Sequence, residues 1–334
     1  MTTITATSIL ASQHSDAPQR VDTLLLRYPW IIHSEGQTHR LLEIGEDMEV
    51  LIKTPSLMAD RDLSRNAGST RAIPVEKMIQ SVIDDPYFPL YWGKNQRGMQ
   101  AGEELSPAEI EEARGLWLEA MANAIKSARR LDAMGIHKQQ INRLLAPFSH
   151  ITVVVTATEW VNFFALRDHA DAEPHIRLLA QAIRVARDEA TVQTLGPGEW
   201  HLPFADANTD DADNEDVFAA YKHIGAVSPK EGWECAIDNS WSNTQKVGEL
   251  LLKLSVARCA STSYKTVEGF DMSLGRAIAL HDKLVGSKPM HASPMEHQCY
   301  ADEFITRAKK WRQPNLHGNF RGFCQYRRAL EVGA

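Results

Sequence analysis

The stretch from Ser106 to Gly135 constrains the fold most. Ser106-Pro107-Ala108-Glu109 places a serine cap, a proline in the first turn and an acidic residue three after the cap, the signature of a helix start. Ile110, Ala113, Trp117, Met121, Ala124, Ala128, Leu131 and Met134 then recur at spacings of three and four, and Gly135 supplies a stop. A helix of that length with a single apolar stripe needs a body to lie against. The chain has material for one. Its 334 residues, 43% hydrophobic and 24% charged, are the mix of a folded globular protein of one large domain or two ordinary ones. Intrinsic disorder and fibrous structure are excluded.

Other elements follow from shorter patterns. Leu24-Leu25-Leu26 and then Tyr28-Pro29-Trp30-Ile31-Ile32 read as a short strand. Ile151 to Thr156 is β-branched, and periodicity leaves a strand and a buried helical turn both open. One helix is expected from Thr158, as cap, to about Arg167. Another starts at Pro174, with Ile176, Leu179, Ala180, Ile183 and Ala186 on its apolar face, and a third carries Leu250, Leu251, Leu254 and Ala257. No repeat of solenoid period is present.

Four regions are expected. Residues 1–20, rich in Thr, Ser and Ala, read as a flexible tail; they lack the charged start and apolar block of a signal peptide. Residues 21–190 form a first body. Residues 191–246 form an acidic, Trp-bearing insert, with a solvated loop from Asp206 to Asp216 and Trp200, Phe204, Trp233 and Trp241 packing around it. Residues 247–334 form a C-terminal part.

Charge and cysteine usage narrow the function. A net charge of −7 lacks the basic footprint of a protein that binds nucleic acid polymers, and no stretch approaches the roughly 20 apolar residues of a membrane span. Cys235, Cys259, Cys299 and Cys324 form no CxxC pair and sit in no nucleophile signature. A reducing, cytoplasmic setting is expected, the host cytoplasm if the chain is viral. There is no GxGxxG after a strand, no phosphate-binding GxxxxGK[ST] and no HExxH. His291, Glu296 and His297 match no standard zinc spacing, so no metal is expected.

Two stretches carry chemistry. Thr38-His39-Arg40 and Ser64-Arg65-Asn66-Ala67-Gly68-Ser69-Thr70-Arg71 alternate hydroxyls, small residues and guanidiniums. Such groups suit phosphate oxygens and planar carbonyl edges. Composition equally allows a polar surface turn leading to Pro74. Asn142-Arg143 and Asn162-Phe163-Phe164-Ala165-Leu166-Arg167 form the second set. Asn162 and Arg167 diverge by about 140° on a helix, with Phe163, Phe164 and Leu166 burying the rest of it. That describes either a core helix with two exposed polar residues or a helix running along a ligand site.

As a set, these segments resemble the flavin-dependent thymidylate synthases. That family carries an RHR and S-x-R segment, an NF-x-x-LR helix followed by an A-x-x-x-I run, and an SY…H-x-[ST]-P-x-E-H segment. The matching residues are His39-Arg40 with Asn66 to Arg71, Asn162 to Arg167 with Ala172 to Ile176, and Ser263-Tyr264 with His291-Ala-Ser293-Pro-Met-Glu296-His297. The order differs from the usual one, because the SPxEH segment here lies near the C-terminus. The chain thus resembles a circular permutation similar to the longer, phage-type members. Phe323-Cys-Gln325-Tyr-Arg327-Arg328 resembles the Q-W-x-R lead-in to RHR. Thr38, Ala67, Thr156 and Thr158 depart from the pattern, as do some twenty residues inserted between Arg40 and Ser64.

The resemblance implies an α/β (α+β) fold of a twisted sheet with long helices, assembled as a homotetramer. It implies reductive methylation of dUMP to dTMP, with FAD as cofactor and methylenetetrahydrofolate and NADPH as co-substrates. By matching position, Ser69, Arg71, Arg143 and Gln325 would hold the nucleotide phosphate. Arg167 would hold the pyrimidine and act catalytically, and His39, Arg40, Asn162, Ser293 and Glu296 would contact FAD. The departures keep two alternatives open: a flavoenzyme that methylates or hydroxymethylates dUMP or dCMP for modified DNA, and a nucleotide-binding homologue without catalysis.

Overall fold

A computed structural model describes residues 3–33, 63–67, 73–98, 100–205, 214–225, 241–265 and 272–333, with backbone alone at 63–67, 241–242 and 262–265. Strands β1 (Thr5–His14), β2 (Arg20–Pro29) and β3 (Leu63–Ala67) precede helices α1 (Val75–Asp84), α2 (Pro107–Ala133) and α3 (Lys138–Leu145). Then come β4 (His150–Ala157), α4 (Val161–Arg167), α5 (Pro174–Asp188), β5 (Val192–Leu195) and β6 (Trp200–His201). The remainder holds α6 (Glu215–His223), α7 (Trp241–Lys265) and α8 (Leu274–Gly286), then β7 (Cys299–Ala301), β8 (Phe304–Ile305), β9 (Lys310–Trp311), β10 (Phe323–Gln325) and α9 (Tyr326–Val332). The chain has the mixed helix-and-strand class that its sequence predicts.

The central sheet runs β3-β4-β2-β1-β5. The ambiguous run at Ile151 is strand, paired antiparallel with β2 on one side and β3 on the other. Alternation sends Leu24, Leu26, Tyr28, Val153 and Val155 to one face, where Ile176, Leu179, Ala180 and Ile183 of α5 cover them. The opposite face carries Thr23 and Thr156, and α7 packs on β4 and β3. A second sheet, β10-β7-β6, holds the C-terminal segment.

Several expectations are corrected. The region expected as a flexible tail, residues 1–20, is structured from Thr5 onward. Thr5–His14 is β1, paired with β2 from Thr5 to Gln13 and with β5 from Ala11 to His14. Partners on both sides satisfy its backbone, and Ala11, Ser12 and His14 are buried. The cap at Ser106 forms as predicted, with the Ser106 amide donating to Glu109 Oε2 at 2.9 Å. The α2 stripe is only half-buried, however, against Val75, Met78, Ile79, Ile141 and Leu145 of α1 and α3, and Met134 is 73% exposed at the helix end. Asp216, expected in the solvated loop, lies in the first turn of α6 and pairs with Arg258 of α7 at 2.6 Å. The rest of that acidic run, residues 206–213, and Trp233 and Cys235 lie outside the described residues. Among the described residues no helix is long and apolar enough to cross a membrane.

One buried charge fastens α5 to the sheet. Asp22 is fully buried on β2 and accepts from Arg20 Nε at 2.7 Å and Arg187 Nε at 2.9 Å. Removing one partner of a buried charge group leaves the others uncompensated. Asp22→Ala is therefore expected to lower unfolding free energy by about 3 kcal/mol, read by urea denaturation. A change under about 0.5 kcal/mol, the range of an ordinary surface substitution, would contradict this.

Candidate functional site

The SPxEH segment forms a 3-10 turn, Ser293–Glu296. Pro294 and Met295 are buried and anchor it, whereas Ser293 is exposed and Glu296 half-buried. The C-terminal lead-in packs directly on it. The Glu296 carboxylate pairs with Arg327, and Tyr326 N donates to Gln298 O at 2.9 Å. Gln325 Nε2 donates to Glu296 O at 3.0 Å and to Asn319 Oδ1 at 2.9 Å. This corrects the expectation for Gln325. It is buried, and both amide hydrogens are spent on protein acceptors, so it braces the turn and does not present a donor to phosphate.

The start of the NFFALR helix meets this unit from the other side. Thr158 does not cap α4; its Oγ1 accepts from Arg321 N at 3.0 Å, and the cap position falls to Trp160, without a side-chain cap bond. Asn162 and Arg167 are both half-buried, at the two ends of α4, with Phe163 buried between them. Leu166, expected to be buried, is 52% exposed. Arg184 lies over the Phe164 ring at 4.3 Å and pairs with Asp168, which ties α4 to α5.

Arg143 sits on the exposed side of α3. Its neighbour Asn142 is buried and donates from Nδ2 to Ile73 O at 2.9 Å. That bond holds the chain two residues after Arg71. Ser69 and Arg71 themselves, and His39 and Arg40, lie outside the described residues. Ser263 and Tyr264 fall in the last turn of α7.

Sequence reasoning missed a buried polar line behind the Ser293–Glu296 turn. His297 Nδ1 meets Thr156 Oγ1 at 2.9 Å, and Thr156 Oγ1 meets Thr23 Oγ1 at 2.7 Å. Thr23 then meets His201 Nε2 at 2.8 Å, and His201 Nδ1 meets Ser12 Oγ at 2.7 Å. Burial pushes His201 and His297 each down to about 3, with His297 adding to the shift at His201, so both imidazoles are neutral at pH 7. The hydrogen-bonded partners are separated by 133 to 189 positions along the chain, so no local spacing signals them.

Two further features stand apart. Asp302, His317 and Cys324 bring three possible metal-ligand atoms together, all buried. Hydrogen bonds already account for them: Asp302 accepts from Glu303 N, Gln313 N and His317 Nε2, all within 2.9 Å. The arrangement fastens the loop between β7 and β10. Burial raises the thiols of Cys259 and Cys299 and pushes Cys324 up to about 12, which leaves none of the three an activated nucleophile. A cleft of about 610 Å³ beside Ala6 to Leu10 and Glu189 to Thr191 contains none of the predicted site residues.

Residues 86–190 match the family model described as thymidylate synthase complementing protein. The matched segment holds Arg143, Asn162 and Arg167, and the match agrees with the motif resemblance there. The segments at His39–Arg71 and Ser263–Gln325 lie outside the match. Two solved structures share a partial arrangement, both of a UMP/dUMP methylase, PolB, from Streptomyces cacaoi. The one bound with 5-Br UMP is 15% identical with a TM-score of 0.42, covering 57% of this chain and 90% of that one. The one bound with 5-Br dUMP is 14% identical with a TM-score of 0.39, covering 56% and 91%. No curated protein sequence matches this chain.

Proposed function

We propose that this chain is a flavin-dependent thymidylate synthase that converts dUMP to dTMP, with methylenetetrahydrofolate as one-carbon donor and NADPH as reductant. The family match over residues 86–190 carries the reading, because Arg143, Asn162 and Arg167 all fall within it. Supporting it from outside that match, the Ser293–Glu296 turn and the Gln325-Tyr-Arg-Arg segment pack together. In this reading the motif order is a circular permutation and the assembly a homotetramer.

The donor chemistry fits a flavin nucleotide. Ser293 offers an exposed hydroxyl, Asn162 a half-exposed amide, and His297 Nε2 is a buried polar atom with no partner among the described residues. Ser293, Glu296 and Asn162, with His39 and Arg40, hold the FAD. When bound, FAD supplies hydride-carrying capacity that no side chain has. Ser69, Arg71 and Arg143 grip the nucleotide phosphate through hydroxyl and guanidinium donors. Arg167 holds the pyrimidine edge, where a fixed guanidinium stabilises negative charge as it develops on the carbonyl oxygen.

The test is reconstitution with FAD, then mass spectrometry of products from dUMP and from dCMP with methylenetetrahydrofolate and NADPH. A gain of one methyl group on dUMP is expected. A hydroxymethyl product, or turnover of dCMP alone, would replace the reading with a modified-base enzyme. Flavin binding without product would leave a nucleotide-binding homologue.

A further inference from the structure

The line from Ser12 to His297 crosses five segments: β1, β2, β4, β6 and the residue after the Ser293–Glu296 turn. Ser12, Thr23, Thr156, His201 and His297 are all completely buried. At its far end, Gln193 Nε2 donates to Ser12 Oγ at 2.9 Å. Hydroxyls and neutral imidazoles can each donate once in such a line, so only two directions are open to it. If Ser12 donates to His201 Nδ1, then His201 Nε2–H donates to Thr23, Thr23 to Thr156, and Thr156 to His297 Nδ1. Every hydroxyl is then satisfied. The reverse direction leaves the Ser12 hydrogen without an acceptor, because its two contacts both become donors to it. The forward direction leaves a hydrogen over at its other end, on the buried His297 Nε2, so each direction has one unpaired hydrogen and the line can turn only as a unit, every hydroxyl and ring together.

We propose that Thr156 and Thr23 are positioning residues for the flavin-binding turn: through His297 they fix where Ser293 and Glu296 stand. The inference rests on the flavin reading above. Thr156 makes the only described polar contact from the sheet to His297, and Thr23 sets the direction of its hydroxyl. Thr23 has no hydrogen bond to the turn itself, so any effect it has on a ligand there passes along the line. The valine isostere keeps the volume and removes the hydroxyl; serine keeps the hydroxyl.

The test measures FAD affinity by flavin fluorescence quenching, with dUMP affinity alongside and thermal unfolding as the fold check. Thr156→Val is expected to weaken FAD at least tenfold and Thr23→Val about fivefold, with Thr156→Ser and Thr23→Ser within twofold of the parent. Affinity for dUMP should stay within twofold, since general loosening would weaken both ligands. Ser12→Ala, the mildest break, serves if the valine variants do not fold; at least a threefold loss is expected. A parent that binds FAD, with valine variants or Ser12→Ala binding it equally well, overturns the inference alone. Equal loss of FAD and dUMP overturns it too, in favour of a general packing role. A parent that binds no FAD overturns the flavin reading and the inference with it.

Discussion

Arg167→Ala is expected to lower methyl-transfer turnover on the order of 10²–10³-fold while the chain keeps its FAD. Loss of one preorganised electrostatic partner costs about 3–4 kcal/mol in the transition state. Arg167 sits in the last turn of α4, half-buried, at the end of a helix held by the Arg184–Asp168 pair and by stacking of Trp160 on Phe164. Those contacts are made by other residues, so they remain in the variant. Arg167→Lys should restore little, because an ammonium is a point charge and cannot reproduce a planar fork against a carbonyl edge. The measurement is turnover beside FAD content for both variants. An alanine variant within twofold of the parent would remove Arg167 from the pyrimidine site and return α4 to the reading of a core helix with a surface arginine.

Acid should unfold this protein between about pH 6.5 and 4, and His201 and His297 should drive the loss. Both have ordinary imidazole affinity when unfolded and are pushed down to about 3 when folded, in each case chiefly by burial. Above the unfolded value near 6.5 neither state is protonated, and the full stability is present. Below it the unfolded chain takes up two protons that the folded chain does not, so stability falls as pH falls. The slope is about 1.4 kcal/mol per pH unit for each histidine, or about 3 for the two. Two pH units then remove about 5 kcal/mol, comparable to the whole stability of a typical domain. Burial pushes His150 down to about 4, which adds to the same trend. Urea midpoints at pH 7, 6 and 5 read the effect, and His201→Gln should flatten the slope by about half. A midpoint unchanged from pH 7 to pH 5 would show that these imidazoles take up protons as readily in the folded protein as in the unfolded chain, which the neutral rings of the buried line do not allow.

The amino-acid sequence by itself determined the local elements whose signals are short-range. The α2 start is legible because a cap, a proline and a reciprocal glutamate act within one turn. The buried face of α5 is legible because helical spacing sends Ile176, Leu179, Ala180 and Ile183 to one side whatever they meet. The resemblance borne out over residues 86–190 was legible too, since Asn162-Phe-Phe-Ala-Leu-Arg167 and the run from Ala172 to Ile176 each keep their residues close in the chain. Tertiary structure decided what depends on partners distant in sequence. Residues 5–14 carry too little apolar character to announce a strand, and become one because β2 and β5 satisfy their backbone on both sides. Gln325 reads as a ligand in its motif, but Glu296 and Asn319 take both its hydrogens. Thr158 reads as a cap, but a backbone amide 163 residues away claims its hydroxyl. Thr23 and His201 carry no motif at all. Their role exists only where the sheet stacks them between Ser12 and Thr156, because a buried hydrogen bond depends on which groups meet in space and leaves no period along the chain.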